Sequence, residues 1–496
     1  MVQKNPQEKN IKKNDLLLLL IIFIGSILRL VSLGKYSFWP DELASFQRAH
    51  LPLSGLIKVL KGNQPLYETL MHFWVKMGSS DAFFRLPSAI FGILSLYFLF
   101  LLGKEIFNKR TSYIATIFLA LSPLHLLFSR IARVYSLLTL LVILSIYFLW
   151  KWSRKNKLSY GIGFVFFTAL SLYAHFSAYL IFLAEFLWIL YYGMKEKLSL
   201  RDWSKNLLLF LIIFLLVLPW FYYSAREVAR FSSTPYYSSQ GGKLLKLLFL
   251  PYSFIAGLTL NPFHLYITIP AAIASLYLFL LGVKDTKTLI LFAFFIPFIG
   301  GWKIPAVSPK HVIYLLPPFY LIISWGVCKK GVVKFKILIL ALLLPAVVLS
   351  LFNYFQGKDF ADASMVTPWK EIGKTIEARE EKGEIILIES DIKFPYGMRV
   401  GLFQRYYKGK LPVKVLDYTW SPQKIREISQ EFERVWVLLY DEGEPEKFRK
   451  FMSKEGKILF FKGFQWETHT LKGLKEGWKS RNKYSSYLYE LYLWKK

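Results

Sequence analysis

The sequence predicts a polytopic α-helical membrane protein of about eleven spans, followed by a small soluble α/β domain at its C-terminal end. Three observations carry that prediction. Of 496 residues, 54% are hydrophobic and the mean hydropathy is +0.36, yet the formal net charge is +30. The apolar residues run in long stretches, with lysines and arginines clustered in the short segments between them. From about Asn353 that pattern gives way to short apolar runs alternating with charged, amphipathic ones.

A span needs roughly 20 mostly apolar residues, fewer where aromatics anchor its ends. The first candidate, 15–33, follows a Lys-rich start. It is too long for a cleavable signal and lacks a small-residue cleavage site, so it reads as an uncleaved span. Further candidates are 85–107, 111–128, 134–150, 159–173, 177–193, 205–222, 264–282, 286–301, 310–328 and 334–352. The apolar stretch 244–260 is interrupted by Pro251 and Gly257.

Loop charge decides how that stretch is treated. If 244–260 is interfacial or re-entrant, every basic cluster falls on one side. These clusters begin with Lys4, Lys9, Lys12 and Lys13, continue through Lys104–Arg110, Lys151–Lys157, Lys195–Lys205 and Lys284–Lys287, and end with Lys329–Lys336. If it crosses, the last cluster moves outside. The positive-inside rule therefore places the N-terminus in the cytoplasm and the soluble tail outside, in a multi-pass protein of the cell membrane. The expected division is a membrane domain over 1–352 and an extracytoplasmic domain over 353–496. Three long segments, 34–84, 223–263 and 353–496, face outward, so chemistry is expected there.

Within the tail, Ile385–Ile388, Val413–Leu416 and Arg434–Tyr440 read as short buried strands. Segments 368–380, 422–433 and 444–454 have helical spacing with charged faces, which together predict a small α/β layer domain. It contains no Gly-rich phosphate loop. The lone cysteine, Cys328, excludes an intramolecular disulfide and any cysteine-based metal cluster. The high basic charge does not point to nucleic acid, because it sits in topology-setting loops and forms no basic stripe with interleaved aromatics.

Among candidate chemical groups, Asp41 and Glu42 stand out. Two adjacent carboxylates follow the aromatic anchor Phe38-Trp39 and Pro40 at the membrane surface. Desolvation and like-charge repulsion can raise a carboxyl pKa there and make it a general base, and the pair can also hold a divalent cation. The plainer reading is that Asp41 caps a helix from Glu42 to His50, with Pro40 setting its entry. Gln64-Pro65-Leu66-Tyr67 opens a predicted amphipathic surface helix, in which His72 falls among apolar positions as a packed histidine. Arg130 and Arg133 sit in a very short outer turn, where arginines either snorkel or grip a phosphate at headgroup level. His175 occupies the next outer turn, and Lys303, Lys310 and His311 precede a later span. Cations thus recur on the outer face, which suits an anionic lipid headgroup. Inside a span, Glu185 is expected to pack against a polar group of a neighbouring helix.

These landmarks resemble the GT-C glycosyltransferases. The resemblance rests on Trp39-Pro-Asp41-Glu42, Gln64-Pro-Leu-Tyr67, Phe84-Arg85-Leu-Pro87-Ser88, Ser122-Pro123, Ala132-Arg133-Val-Tyr135-Ser136, His175 and Tyr314-Leu-Leu-Pro317. It is strongest to the bacterial branch related to protein O-mannosyltransferases and to the aminoarabinose transferase that modifies lipid A. It implies a transferase using a polyprenyl-phosphate sugar, with Asp41 as catalytic base and Glu42 as its neighbour. Arg133, Lys310, His311 and Lys303 would meet the donor phosphate, and Gln64, Tyr67, Tyr135 and His175 would line the substrate site. Part of the superfamily uses a divalent metal, for which Asp41 and Glu42 would be the ligands. The acceptor would be a lipid, glycan or protein.

The chemistry is coherent without the family. Nucleotide sugars stay in the cytoplasm, so a transferase acting outside needs a sugar carried on lipid. Cationic side chains neutralise the departing phosphate, while a carboxylate removes the acceptor proton. One base and no separate nucleophile predict inversion. A polyprenyl-linked glycan polymerase or ligase would instead rely on a late outer loop, and a transporter or flippase would show internal repeats and charges within spans.

Overall fold

The helices begin and end where local chemistry dictates. The computed structural model describes residues 6–60, 64–232, 251–284, 291, 295, 309–329, 333–361, 363–389, 398–416, 422–440, 445–465 and 487–495. Helix α1 is Pro6–Leu30 and α2 is Pro40–Ala49, with α3 (Leu53–Val59) and α4 (Pro65–Trp74) following in the first long loop. Then come α5 (Asp81–Ile106), α6 (Lys109–Leu121), α7 (Pro123–Ser129), α8 (Tyr135–Lys155), α9 (Leu158–Ala174), α10 (Ala178–Lys195), α11 (Leu200–Ser232), α12 (Leu265–Val283), α13 (Leu316–Cys328) and α14 (Val333–Gln356). Ser80 and Asn108 cap α5 and α6 by accepting from the Phe83 and Thr111 amides.

Among the described residues, seven helices are long and apolar enough to cross a membrane, and eight if one bent pair counts as a single span. That pair is α6 and α7, which meet at 60°. The straight span expected over 111–128 is therefore corrected: Ser122 ends α6 and caps α7, and Pro123, at the first position of α7, has no amide to continue the ladder. Residues 16–30 and 158–174 form shorter apolar helices. Most of the expected span 286–301 lies outside the described residues, as do 244–250 of the interrupted stretch. The span expected over 310–328 starts as a 3-10 turn, Pro309–Leu315, before α13.

The chain forms two compact units, one of residues 1–33 with 45–354 and the other of 34–44 with 355–496. Buried arginines tie the first together. Arg29 donates to the Gly25, Leu119 and Ala120 carbonyls and reaches His125 Nδ1 at 2.8 Å, so a cation sits on the exposed carbonyl end of α6 at its break. Arg130 does the same for α1, donating to the Leu28 and Ser32 carbonyls and to the Tyr354 hydroxyl. Glu185 accepts from the hydroxyls of Ser145 and Thr168 on α8 and α9, the neighbouring polar groups expected for it.

The second unit contains a five-stranded sheet, β1 (Ile385–Glu389), β2 (Val413–Leu416), β3 (Arg434–Tyr440), β4 (Lys457–Gln465) and β5 (Tyr487–Lys495), in the order β2-β1-β3-β5-β4. β1 pairs in parallel with β2 and β3, while β5 is antiparallel to β3 and β4. Helices α15 (Trp369–Glu377), α16 (Met398–Tyr406), α17 (Pro422–Glu431) and α18 (Pro445–Glu455) complete it. One sheet face packs Leu387, Val437, Tyr492 and Trp494 with Ile425 of α17 and Met452 of α18. Residues 34–44 belong to this unit through specific bonds: the Phe38 amide donates to the Tyr406 hydroxyl at 2.7 Å, and Lys35 and Tyr36 donate to the Phe355 carbonyl.

Candidate active site

In the second unit, the carboxylate pair opens α2. Pro40 takes the first helical position, and Glu42 accepts from the Trp39 amide at 3.3 Å, the reciprocal half of a capping box. The cap assigned to Asp41 from sequence thus belongs to Glu42, which is 1% exposed. Asp41 is half-buried, in the first turn, where the helix dipole favours an anion. Consecutive helical positions point about 100° apart. The cap engages one oxygen of Glu42, the carboxylate expected beside Asp41 as a metal ligand. Among the described residues, no three His, Cys, Asp or Glu side chains converge as a metal site.

In the first unit, α4 and the turn before α8 bring together most of the other candidates. Glu68, unnoticed in the sequence, is the hub. Its Oε1 accepts from Arg48 at 2.7 Å and from Ser45 at 2.8 Å, with an Arg133 nitrogen at 3.5 Å. Arg133 also donates to Ser45 at 2.8 Å. Tyr67 pairs with Ser88 at 2.8 Å, and Ser88 donates to the Arg133 carbonyl, so the Tyr67 hydroxyl fixes the turn that carries Arg133. The one sequence signal for Glu68 is its place at the end of the Gln64-Pro65-Leu66-Tyr67 motif, in the first turn of α4.

Gln64 is 7% exposed, and both polar atoms of its amide lack a hydrogen-bond partner among the described residues. So does Glu68 Oε2. Leaving a buried polar group unpaired costs about 1–3 kcal/mol. His72 behaves differently, its Nδ1 bonding the Ala49 carbonyl at 3.0 Å as a packed histidine.

Next to this cluster, Tyr135 is buried, with its ring 5.9 Å from that of His175. His175 stacks on His311 at 5.7 Å and accepts the Ser177 amide at Nδ1, which places the proton of the neutral ring on Nε2. Burial, with the cations His311, Arg133 and Lys310 nearby, holds the His175 imidazole well below its ordinary pKa of 6.5. Lys310 and His311 stand on the Pro309–Leu315 turn. Lys303 lies outside the described residues. The structure therefore gathers Arg133, Lys310 and His311 around a neutral His175, with Arg133 tied to Glu68 and Ser45. Arg130, three residues from Arg133, is not in the group and serves the fold.

A bundle of apolar helices interrupted by short loop helices, ending in a small mixed sheet, is the architecture of a multi-pass membrane protein with the GT-C glycosyltransferase fold. Residues 63–223 match the family model of dolichyl-phosphate-mannose-protein mannosyltransferases. The structure of ArnT from Cupriavidus metallidurans in the apo state is similar over 89% of this chain and 95% of its own, with a TM-score of 0.55 at 10% identity. The same protein bound to undecaprenyl phosphate gives a TM-score of 0.50 at 12% identity, with the same coverage. The oligosaccharyltransferase of Archaeoglobus fulgidus in its apo form covers 90% of this chain and 73% of its own, with a TM-score of 0.53 at 11% identity. No curated protein matches the chain.

Proposed function

We propose that this protein is an integral membrane glycosyltransferase that moves a sugar from a polyprenyl-phosphate donor to a hydroxyl of an extracytoplasmic lipid, glycan or protein. The observation that carries the reading is the cationic group of Arg133, Lys310 and His311 in a chain whose fold is shared with a protein that binds undecaprenyl phosphate.

In this reaction the Asp41 carboxylate takes the proton of the acceptor hydroxyl. The acceptor oxygen attacks the anomeric carbon as the bond from that carbon to the phosphate oxygen breaks, and the electron pair leaves with the polyprenyl phosphate. Arg133 and Lys310 offset the charge that develops there, and Arg133 does so with little reorganisation because Ser45 and Glu68 already hold it. Direct displacement inverts the anomeric centre. The N-terminus is cytoplasmic, with the sheet-containing unit outside.

Membranes supplied with radiolabelled polyprenyl-phosphate sugars test the reading. Removing a general base slows transfer about 10²–10⁴-fold, so Asp41→Asn is expected to lose transfer while donor binding persists. Equal transfer by both proteins removes Asp41 from the role, and retained configuration in the product refutes direct displacement.

A further inference from the structure

We infer that the buried N-terminal end of α4, with Gln64 at its cap and Glu68 in its first turn, is the donor-sugar subsite, and that it accepts an uncharged sugar with adjacent hydroxyls in preference to a cationic amino sugar. The inference rests on the polyprenyl-phosphate-sugar reading and deepens it. Its basis is an unmet demand for hydrogen bonds. Gln64, the extended residue that caps α4, and Glu68, in its first turn, are 7% and 6% exposed, so both are buried at the N-terminal end of one helix. Among the described residues, Gln64 Nε2, Gln64 Oε1 and Glu68 Oε2 have no partner, although Glu68 Oε1 is engaged by Ser45 and Arg48. Buried polar groups are almost always paired, so orphaned ones at one helix end point to a ligand that pairs them. The Tyr179 hydroxyl lies beside the Gln64 amide, also without a bond of proper geometry.

The inventory of those atoms identifies the ligand class. A carboxylate oxygen only accepts, whereas an amide both donates and accepts. Vicinal hydroxyls, each a donor and an acceptor, satisfy that set. Position agrees with this, because Arg133 lies 3.5 Å from Glu68 and the sugar is bonded directly to the phosphate that Arg133 would hold. Charge then discriminates among sugars. The Glu68 carboxylate already faces Arg48 and Arg133, so its charge is met by guanidinium groups before any ligand arrives. An ammonium-bearing sugar would give up its hydration with no unmatched anion to receive it, a cost that a neutral polyol does not carry.

Binding to the purified full-length chain in nanodiscs tests this, with four probes: decaprenyl phosphate alone, the same lipid carrying mannose or glucose, and the lipid carrying 4-amino-4-deoxyarabinose. The wild type is expected to bind a neutral-sugar lipid more tightly than the bare lipid phosphate and to gain nothing from the amino sugar. Glu68→Gln is expected to forfeit that sugar-dependent gain, about tenfold for a charged hydrogen bond, while keeping its affinity for decaprenyl phosphate. Gln64→Met is expected to forfeit it as well and to raise the melting temperature of the empty protein, since the orphaned amide is gone. Equal loss of both ligands in Glu68→Gln would reduce Glu68 to a support for Arg133 and overturn the inference. So would preference for the amino sugar, or unchanged sugar binding in both variants. A wild type that does not bind decaprenyl phosphate would instead sink the donor reading itself.

Discussion

Two arginines three residues apart show how burial and partners divide labour within one turn. Arg130 spends its guanidinium on the Leu28 and Ser32 carbonyls and the Tyr354 hydroxyl. Arg133 instead meets Ser45 and Glu68, in a group that gathers further cations. Each buried acceptor stripped of its donor costs about 1–3 kcal/mol, so Arg130→Met is expected to lower the melting temperature of the purified protein. Arg133→Met is expected to leave that temperature close to wild type and to weaken polyprenyl-phosphate binding. Thermal unfolding and lipid binding measured on both variants check the division; the opposite pattern would reverse the assignment. His175 supplies the pH dependence. Its imidazole is held well below 6.5 when folded, so the unfolded chain binds the extra proton first. Its contribution is complete above the unfolded value and is lost as pH falls below about 6.5. A melting temperature that drops between pH 7.5 and 5.5 in wild type, and drops less in His175→Gln, is the expected result.

At the scale of elements, α12 and α13 pack at closest approach through glycines. A Cβ on Gly282 would sit 2.2 Å from the Ile322 carbonyl oxygen, and one on Gly326 would sit 2.2 Å from that of Leu278. Both obstacles are backbone, so the helices themselves must separate. Gly326→Ala is expected to destabilise the protein by about 1–3 kcal/mol, the usual range for overpacking, visible as a lower thermal midpoint; an unchanged midpoint would mean that this contact opens freely. Elements were legible where one period dominates. Ile385–Ile388 and Val435–Tyr440 are continuous apolar runs, and the sequence marks the segments that hold them as buried strands. β4 and β5 escaped notice because Lys462 and Glu490 interrupt their aromatics, and what makes them strands is pairing with each other and with β3. In the site, Asp41 and Glu42 were visible as a pair, but which of them caps α2 depends on where the helix starts. Glu68 was hidden because its importance comes from Arg48 and Arg133, which reach it from 20 and 65 residues away.

For the molecule as a whole, the division into units has a functional consequence. The segment 34–44, which carries Asp41, is grouped with residues 355–496 although it leads into a helix that continues in the other unit. Its hold is specific. The Phe38 amide donates to the Tyr406 hydroxyl, the Arg405 guanidinium lies 4.1 Å over the Phe38 ring, and the Lys370 amide donates to Ser37. A catalytic group misplaced by about 1 Å can cost 10²-fold in rate, so in the proposed reaction the sheet-containing unit acts by fixing where α2 begins. Arg405→Ala combined with Tyr406→Phe removes the clamp on Phe38 without touching Asp41, Arg133 or the N-terminal end of α4. The double variant is expected to lower the rate of transfer at saturating donor while leaving affinity for polyprenyl phosphate unchanged, because the residues proposed to bind that lipid all belong to the other unit. Steady-state transfer measured beside lipid binding decides it. A parallel fall in both would show that the clamp supports the whole molecule, and no change in either would show that segment 34–44 holds its place through α2 alone.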